Sequence, residues 1–386
     1  MAEQVISPDL NFVKDIIRNG GESLKKCYQC ATCSVVCNVT PDSKPFPRKE
    51  MMWAQWGLKD KLLDNPDVWL CHQCSDCTAY CPRGAKPGEV LQAVRKLTIS
   101  HYSIPNFLGR AVGDQRFLII LFLVPVVILL TILGSLGHLN ISEIPRGEDG
   151  GIVYSKFMPV PYIDTLFGLA AAFAVFSFIM GVYRYWKAIS RNEGIKGGDI
   201  SKSLISTISE ILLHKRFKKC DVTKARAKSH LYVFYGFVGL AITTTWAIAY
   251  LYGYEFFGIT ASSLFHFGES PYPLYDPLKI LGNLSALALI VGITLVVLNR
   301  LANKDKAGIG SYFDWLFITV VFVIAATGIL TELTRLANIA VLAYPIYFIH
   351  LTFVFFLFAY APFSKMAHMV YRTTAMVFAR QTGREV

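Results

Sequence analysis

Six stretches of about twenty residues, each almost free of charge, decide what this chain can fold into. They run over Phe117–Gly137, Ile163–Trp186, Leu231–Tyr252, Leu278–Leu298, Phe313–Leu333 and Ala340–Phe363. A bilayer core about 30 Å thick is crossed by about 20 residues of helix. Backbone inside it must satisfy its polar groups within its own segment, which makes each stretch a helix. Six such stretches are too many to serve as buried core helices of one soluble globule. The first 115 residues, by contrast, read as ordinary soluble sequence, so a soluble head precedes a helical membrane domain.

The net charge of +11 has a bearing on orientation rather than on nucleic acid. Most of the excess lies between the apolar stretches. The segment Tyr183–His230 carries Arg184, Lys187, Arg191, Lys215, Arg216, Lys218, Lys219, Lys224, Arg226 and Lys228. Further basic residues follow the fourth span (Arg300, Lys304, Lys306) and the sixth (Lys365, Arg372, Arg380, Arg384). The connections Asn140–Tyr162 and Gly253–Asp276 carry far fewer. Positive loops stay inside, so both termini and the head are expected in the cytoplasm, at the inner membrane of a bacterium. Met1 to Lys26 is polar and has no apolar signal segment, which agrees.

Eight of nine cysteines fall in two runs, Cys27-x2-Cys30-x2-Cys33-x3-Cys37 and Cys71-x2-Cys74-x2-Cys77-x3-Cys81-Pro82. Structural disulfides are not expected in a cytoplasmic head. Zinc sites pair two short hooks across a longer gap, whereas here four thiols sit within eleven residues twice. This is the spacing of two-cluster ferredoxins, in which the fourth cysteine of each run serves the other cluster. The expected ligand sets are Cys27, Cys30, Cys33 with Cys81, and Cys71, Cys74, Cys77 with Cys37. Asn38 stands where proline usually follows the fourth cysteine, and the lone Cys220 is read as a bystander. Helices are expected over Pro8–Arg18, from Arg48 to Trp56 and from Gly88 to His101, with Pro105–Gly113 as linker.

Histidine at a membrane edge is a functional candidate, and b-type haem takes two imidazoles from different helices. His230 opens the third span and His368 closes the sixth at the same face, so they form the expected pair. Gly236 and Gly239 would let a flat macrocycle approach. His350 and His368 are 18 residues apart, five turns of 3.6, or about 27 Å along one helix. A second haem on His350 would take His138 or His266 as its partner, or it is not formed. His72, His101 and His214 are read as bystanders, or His72, inside the second cysteine run, as a residue that tunes a cluster potential. Glu332 and Arg335, three apart, are read as an interfacial ion pair, or else as a quinone or proton site.

The cysteine segment, including Trp69-Leu-Cys71-His-Gln-Cys-Ser-Asp-Cys77, resembles the C subunit of heterodisulfide reductase over roughly residues 20–100. The histidine spacing and the Ala361-Pro-Phe-Ser-Lys-Met-Ala-His368 ending resemble the cytochrome b subunit of respiratory nitrate reductase over roughly residues 160–375. In that family another histidine follows ten residues after the first, and here Leu240 stands there. The fusion of the two resembles the C subunits of quinone-interacting membrane-bound oxidoreductase (Qmo) complexes.

The expected fold is therefore mainly α: a helical two-[4Fe–4S] ferredoxin-type head (1–105), a linker (106–116), a six-span haem b domain (117–370) and a cytoplasmic tail (371–386). The resemblance implies oxidation of menaquinol, with electrons passing through haem b and two clusters to two flavin and iron–sulfur subunits, and then to adenylylsulfate reductase. The alternative is a quinone-linked heterodisulfide-reductase-type complex with electrons flowing to quinone. The head shows no G-x-G-x-x-G after a strand, so a partner subunit must complete the soluble reaction.

Overall fold

The computed structural model describes residues 7–192, 197–219, 225–258 and 270–384. Within them all regular structure is helical and no strand occurs. The head contributes α1 (Leu10–Arg18), α2 (Arg48–Gln55), α3 (Pro87–Tyr102) and α4 (Asn106–Gly113), with short helical turns around the cysteine runs. The first span is α5 (Leu118–Leu136) and the second is α6 (Val160–Asn192). A helix outside the six expected spans, α7 (Ile200–Leu212), precedes α8 (Ala225–Phe257), α9 (Pro277–Ala302), α10 (Tyr312–Leu336), α11 (Ala340–Tyr360) and α12 (His368–Gln381). Helices α5, α6, α8, α9, α10 and α11 are long and apolar enough to cross a membrane, which makes six such helices among the described residues.

Local chemistry sets the helix ends. Asp276 accepts from Leu278 N at 2.8 Å and Pro277 opens α9, both favourable at a helix start. Ser311 and Asp314 form a capping box at α10. Helices α8 and α9 pack as an antiparallel pair, α9 packs on α10, α10 on α11, and α5 and α6 flank α11.

Three expectations are corrected. The linker is helical: α4 packs on α3, with Gly109, Val112 and Gly113 buried. The last span does not run on to His368. Pro362 lacks the N–H a helix interior needs, and the chain turns through two 3₁₀ segments, Ala361–Phe363 and Lys365–Ala367, separated by an extended Ser364. Ser364 Oγ accepts from Met366 N at 3.1 Å, and α12 starts afresh at His368. His350 and His368 therefore lie on different helices. Third, the expected tail is part of the head, because α12 packs against α6, α7 and the turn Asp67–Leu70.

One apolar core runs through this joint without a seam. It joins Phe12, Leu62, Trp69 and Val94 of the head to Tyr185, Phe363 and Phe378. Trp69 stacks on Tyr371 with ring centroids 5.3 Å apart. At its edge Asp67, fully buried, receives Lys49 Nζ at 2.5 Å and Arg384 at 2.5 Å. Removing one side of such a buried pair strands the other charge, at a cost of about 3–5 kcal/mol. Asp67→Ala is expected to destabilise the head and α12 together by that order. Thermal unfolding of the purified protein checks this, and a melting temperature equal to the parent's would contradict it.

Candidate redox site

The two cysteine runs have the same backbone. Gln29 and Ala31 have φ of 60° and 70°, and Gln73 and Ser75 have 52° and 69°. Left-handed backbone at non-glycine residues is uncommon and collects at functional sites. Its effect here is to curl each run, with Gln29 N and Gln73 N each donating to the first sulfur of their run at 3.4 Å. Burial pushes the Cys33 thiol up to about 11, and the sulfurs of Cys27, Cys30 and Cys81 add to that. Burial pushes Cys37 up to about 12, helped by Cys71 and Cys74. Cys77 is raised well above the ordinary value by burial and then by Cys71, Cys74 and Cys37. Each run is therefore crowded by the fourth cysteine of the other. Thiols held this way lose their protons when iron binds. No three His, Cys, Asp or Glu groups among the described residues converge tightly enough for a single metal ion.

The runs differ in exposure. Cys30 is exposed and Tyr28 and Val35 beside it are 67% and 83% exposed, whereas Cys71, Cys74 and Cys77 are buried. Three guanidinium groups grip the backbone of the second run, one from α3 of the head and two from α8 and α12. Arg95 donates to the carbonyls of Val68 and Cys71 at 2.7 Å each. Arg226 donates to Gln73 O at 2.5 Å, and Arg372 to Cys71 O at 3.4 Å.

Behind this run lies a cavity of about 480 Å³, within the usual range for cofactor sites. His230 and His368 both line it. His368 Nδ1 donates to Lys365 O at 2.6 Å, leaving Nε2 uncommitted. His230 uses Nδ1 as well, toward His214 Nε2 at 3.0 Å, while His214 Nδ1 bonds Leu212 O at 3.1 Å. Such anchoring of one ring nitrogen is the arrangement that orients metal-ligating histidines. Val233, Phe234, Phe237 and Phe317 give the cavity an apolar wall. Among the described residues, the rest of its wall holds seven Lys and Arg side chains against two carboxylates, Glu210 and Asp314. His72 sits on this wall. Burial and then Arg372 hold its ring well below the usual histidine range, so it is neutral. Its Nδ1 accepts from Arg372 and its buried Nε2 has no partner. Two free imidazole nitrogens, an apolar slot and a cationic end with an orphaned donor fit an iron porphyrin bearing two carboxylates.

Other expected residues are placed differently. His72 and His214 are both buried and line the cavity. A Cβ on Gly236 would come within 3.0 Å of Leu289, and Gly239 faces Ser285, so both glycines serve the close crossing of α8 and α9 rather than the cavity. His350 bonds Thr327 Oγ1 at 3.0 Å and His138 bonds Phe157 O at 2.8 Å. No contact joins these two rings among the described residues. Glu332 pairs with Lys279 at 3.1 Å and accepts from Asn283 at 3.4 Å rather than pairing with Arg335. His266 and Cys220 lie outside the described residues. His101 packs edge-on against Tyr102 in the head, away from the cavity.

Residues 23–85 match the family described as the 4Fe-4S dicluster domain, and residues 112–385 match Citrate utilization protein B. The chain belongs to the Citrate utilization protein B family. The protein of that name from Escherichia coli is 27% identical over 322 residues, covering 79% of this chain and 77% of the relative. The head is similar to a protein from Archaeoglobus profundus that is itself named as like the C subunit of heterodisulfide reductase. The two are 38% identical over 94 residues, 24% of this chain and 50% of the relative. The head is also similar to the C subunit of the H(2):CoB-CoM heterodisulfide,ferredoxin reductase of Methanothermobacter marburgensis, 36% identical over 90 residues, 22% of this chain and 47% of the relative. The chain spans about half the length of these two relatives. No solved structure matches. The chain is thus an iron–sulfur electron-transfer subunit with a membrane-type helical domain.

Cys37→Ser is expected to remove about half of the bound iron, taken from the site of the second run. Iron analysis with electron paramagnetic resonance of the reduced protein checks it. Loss of the exposed site's signal instead would contradict the crosswise grouping.

Proposed function

We propose that this chain is the membrane subunit of a menaquinol-oxidising complex that delivers electrons to soluble partners on the cytoplasmic side. The observation that carries the reading is the shared wall. His230 and His368 enter one cavity, and His72 and Gln73 of the second cysteine run form part of its lining. Haem b held there and two [4Fe–4S] clusters supply one-electron carriage, which a two-electron quinol donor needs if its electrons are to be separated.

The residues have distinct tasks. His230 and His368, each with Nδ1 engaged, would hold the haem iron. His72 Nε2–H and the surrounding arginines receive the propionates, and the phenylalanine wall excludes water. Cys71, Cys74, Cys77 and Cys37 would hold the second cluster, and Arg95, Arg226 and Arg372, bonded to the backbone of that run, would raise its potential by placing positive charge there. Cys27, Cys30, Cys33 and Cys81 hold the outer cluster, whose exposed surroundings suit a docking flavin and iron–sulfur subunit. Quinol is oxidised in the outer half of the bundle, near His350, Glu332 and Arg335. The assignment follows the likeness to the Qmo C subunit, with adenylylsulfate reductase downstream, both termini cytoplasmic and the chain in a bacterial inner membrane. The likeness of the head to heterodisulfide reductase C subunits favours a second reading, a quinone-linked complex of that type in which a soluble partner supplies the electrons and quinone receives them.

Three variants test this. His230→Ala and His368→Ala should each abolish the reduced b-haem α-band while both cluster signals persist, and an unchanged band in either would sink the ligand assignment. His350→Ala should slow reduction of the remaining chromophores by a menaquinol analogue at least tenfold, yet leave reduction by dithionite untouched. Full-rate quinol reduction in that variant would move the quinone site elsewhere.

A further inference from the structure

Helix α7 connects two spans on the basic side of the molecule and is not itself a span. Its 13 residues sort into three faces. Counted at about 100° per residue, Ile200, Leu204, Ile208, Leu212 and Ile205 cover an arc of about 140°, which also holds the exposed Ser201 and, toward its docked edge, the half-buried Ile211 on the cavity wall. All five are exposed, Ile205 to 67% and Ile200 to 56%. A second face is docked on α12: Arg380 donates to Thr207 Oγ1 at 2.7 Å and to Glu210 at 2.5 Å, and Gln381 donates to Ser203 Oγ at 2.7 Å. The third face is polar and exposed, with Lys202 and Ser206. The helix therefore cannot roll to hide its apolar stripe without breaking those bonds.

We propose that α7 is an interfacial helix whose apolar stripe lies in the cytoplasmic leaflet of the membrane. The inference rests on the reading that the six apolar helices cross a bilayer. Two observations name lipid as the occupant. First, the stripe continues the exposed apolar surface of a span: Tyr235 Oη of α8 donates to Leu212 O at 2.9 Å, and Leu231, Tyr232 and Val238 of α8 are exposed beside it. Second, the exposed cations Lys187, Arg191, Lys202, Lys215 and Lys219 flank or line the helix. This is the charge pattern that anionic headgroups attract to a surface helix. A consequence follows for the haem site. The turn that leaves α7 carries His214, which holds His230, so seating α7 in lipid also sets the orientation of a haem-ligand ring.

The test is photo-crosslinking of the full chain in native membranes. p-Benzoyl-phenylalanine replaces Ile205 or Ile208 on the stripe, Thr207 on the docked face, and Leu287, an exposed residue of α9. Phospholipid adducts by mass spectrometry are expected at 205, 208 and 287 and not at 207. Crosslinks from 205 and 208 to a protein, whether a soluble partner or a second copy, or no adduct there while 287 yields lipid, would overturn the interfacial placement alone. Absence of lipid adducts at 287 as well would overturn the membrane reading and this inference with it.

Discussion

Asp67 sits fully buried between Lys49 and Arg384, and this three-part ion pair holds the last helix of the chain inside the head. A buried carboxylate is costly unless it is paired, and its partners are then hard to pull away. Because Arg384 follows the last helix and Lys49 belongs to the head, the interaction closes the molecule on itself. Helix α12 is thereby fixed against Trp69 by Tyr371 and against the second cysteine run by Arg372. The same helix begins with His368. A candidate haem ligand and a candidate cluster run thus belong to one rigid packing unit, which an electron path between them requires. A head tethered by a flexible linker would not keep that spacing.

The cavity shows the same logic in its charge. Seven cationic side chains and two carboxylates line it. The carboxylates are already engaged: Asp314 pairs with Lys365 and lies 3.6 Å from Arg300, and Glu210 pairs with Arg216 and Arg380. Burial, and then the neighbouring Arg216 and Arg95, pull Arg372 down to about 9, a sign of how poorly the wall is compensated. An anionic occupant with an apolar body relieves this, and a porphyrin with two propionates has that character. The glycines of α8 contribute indirectly, by letting α9 approach closely enough to add Ile293 and Val296 to the apolar wall.

Much of this was legible in the sequence. The six spans follow from hydropathy, and all six appear within a few residues of the expected ends, apart from the extension of α6 past Trp186 and of α8 at both ends. The cysteine runs follow from spacing. The pairing of His230 and His368 on one cavity follows from helix order and the shared face. What failed had local causes. A separation of eighteen residues between His350 and His368 suits one straight helix, but Pro362 interrupts it, and periodicity alone does not register such a break. Gly236 and Gly239 are equally compatible with a cofactor and with a helix crossing, and only the neighbour's position decides. His72 lies inside the second cysteine run and His214 in a basic stretch, but nothing local shows that they bond Arg372 and His230, the first of them far away in sequence from His72. Helix α7 did leave a signal, the apolar repeat Ile200, Leu204, Ile205, Ile208 and Leu212, but it lies in a segment whose basic residues dominate any reading by composition.

The central claim is that one chain carries porphyrin iron and cluster iron side by side. A pyridine haemochrome assay and total iron analysis on the same anaerobically purified full-length protein test it most directly. The account predicts at least one protohaem per chain together with iron for two cubane clusters. Cluster iron with no porphyrin would contradict it and leave the cavity between His230 and His368 to some other ligand.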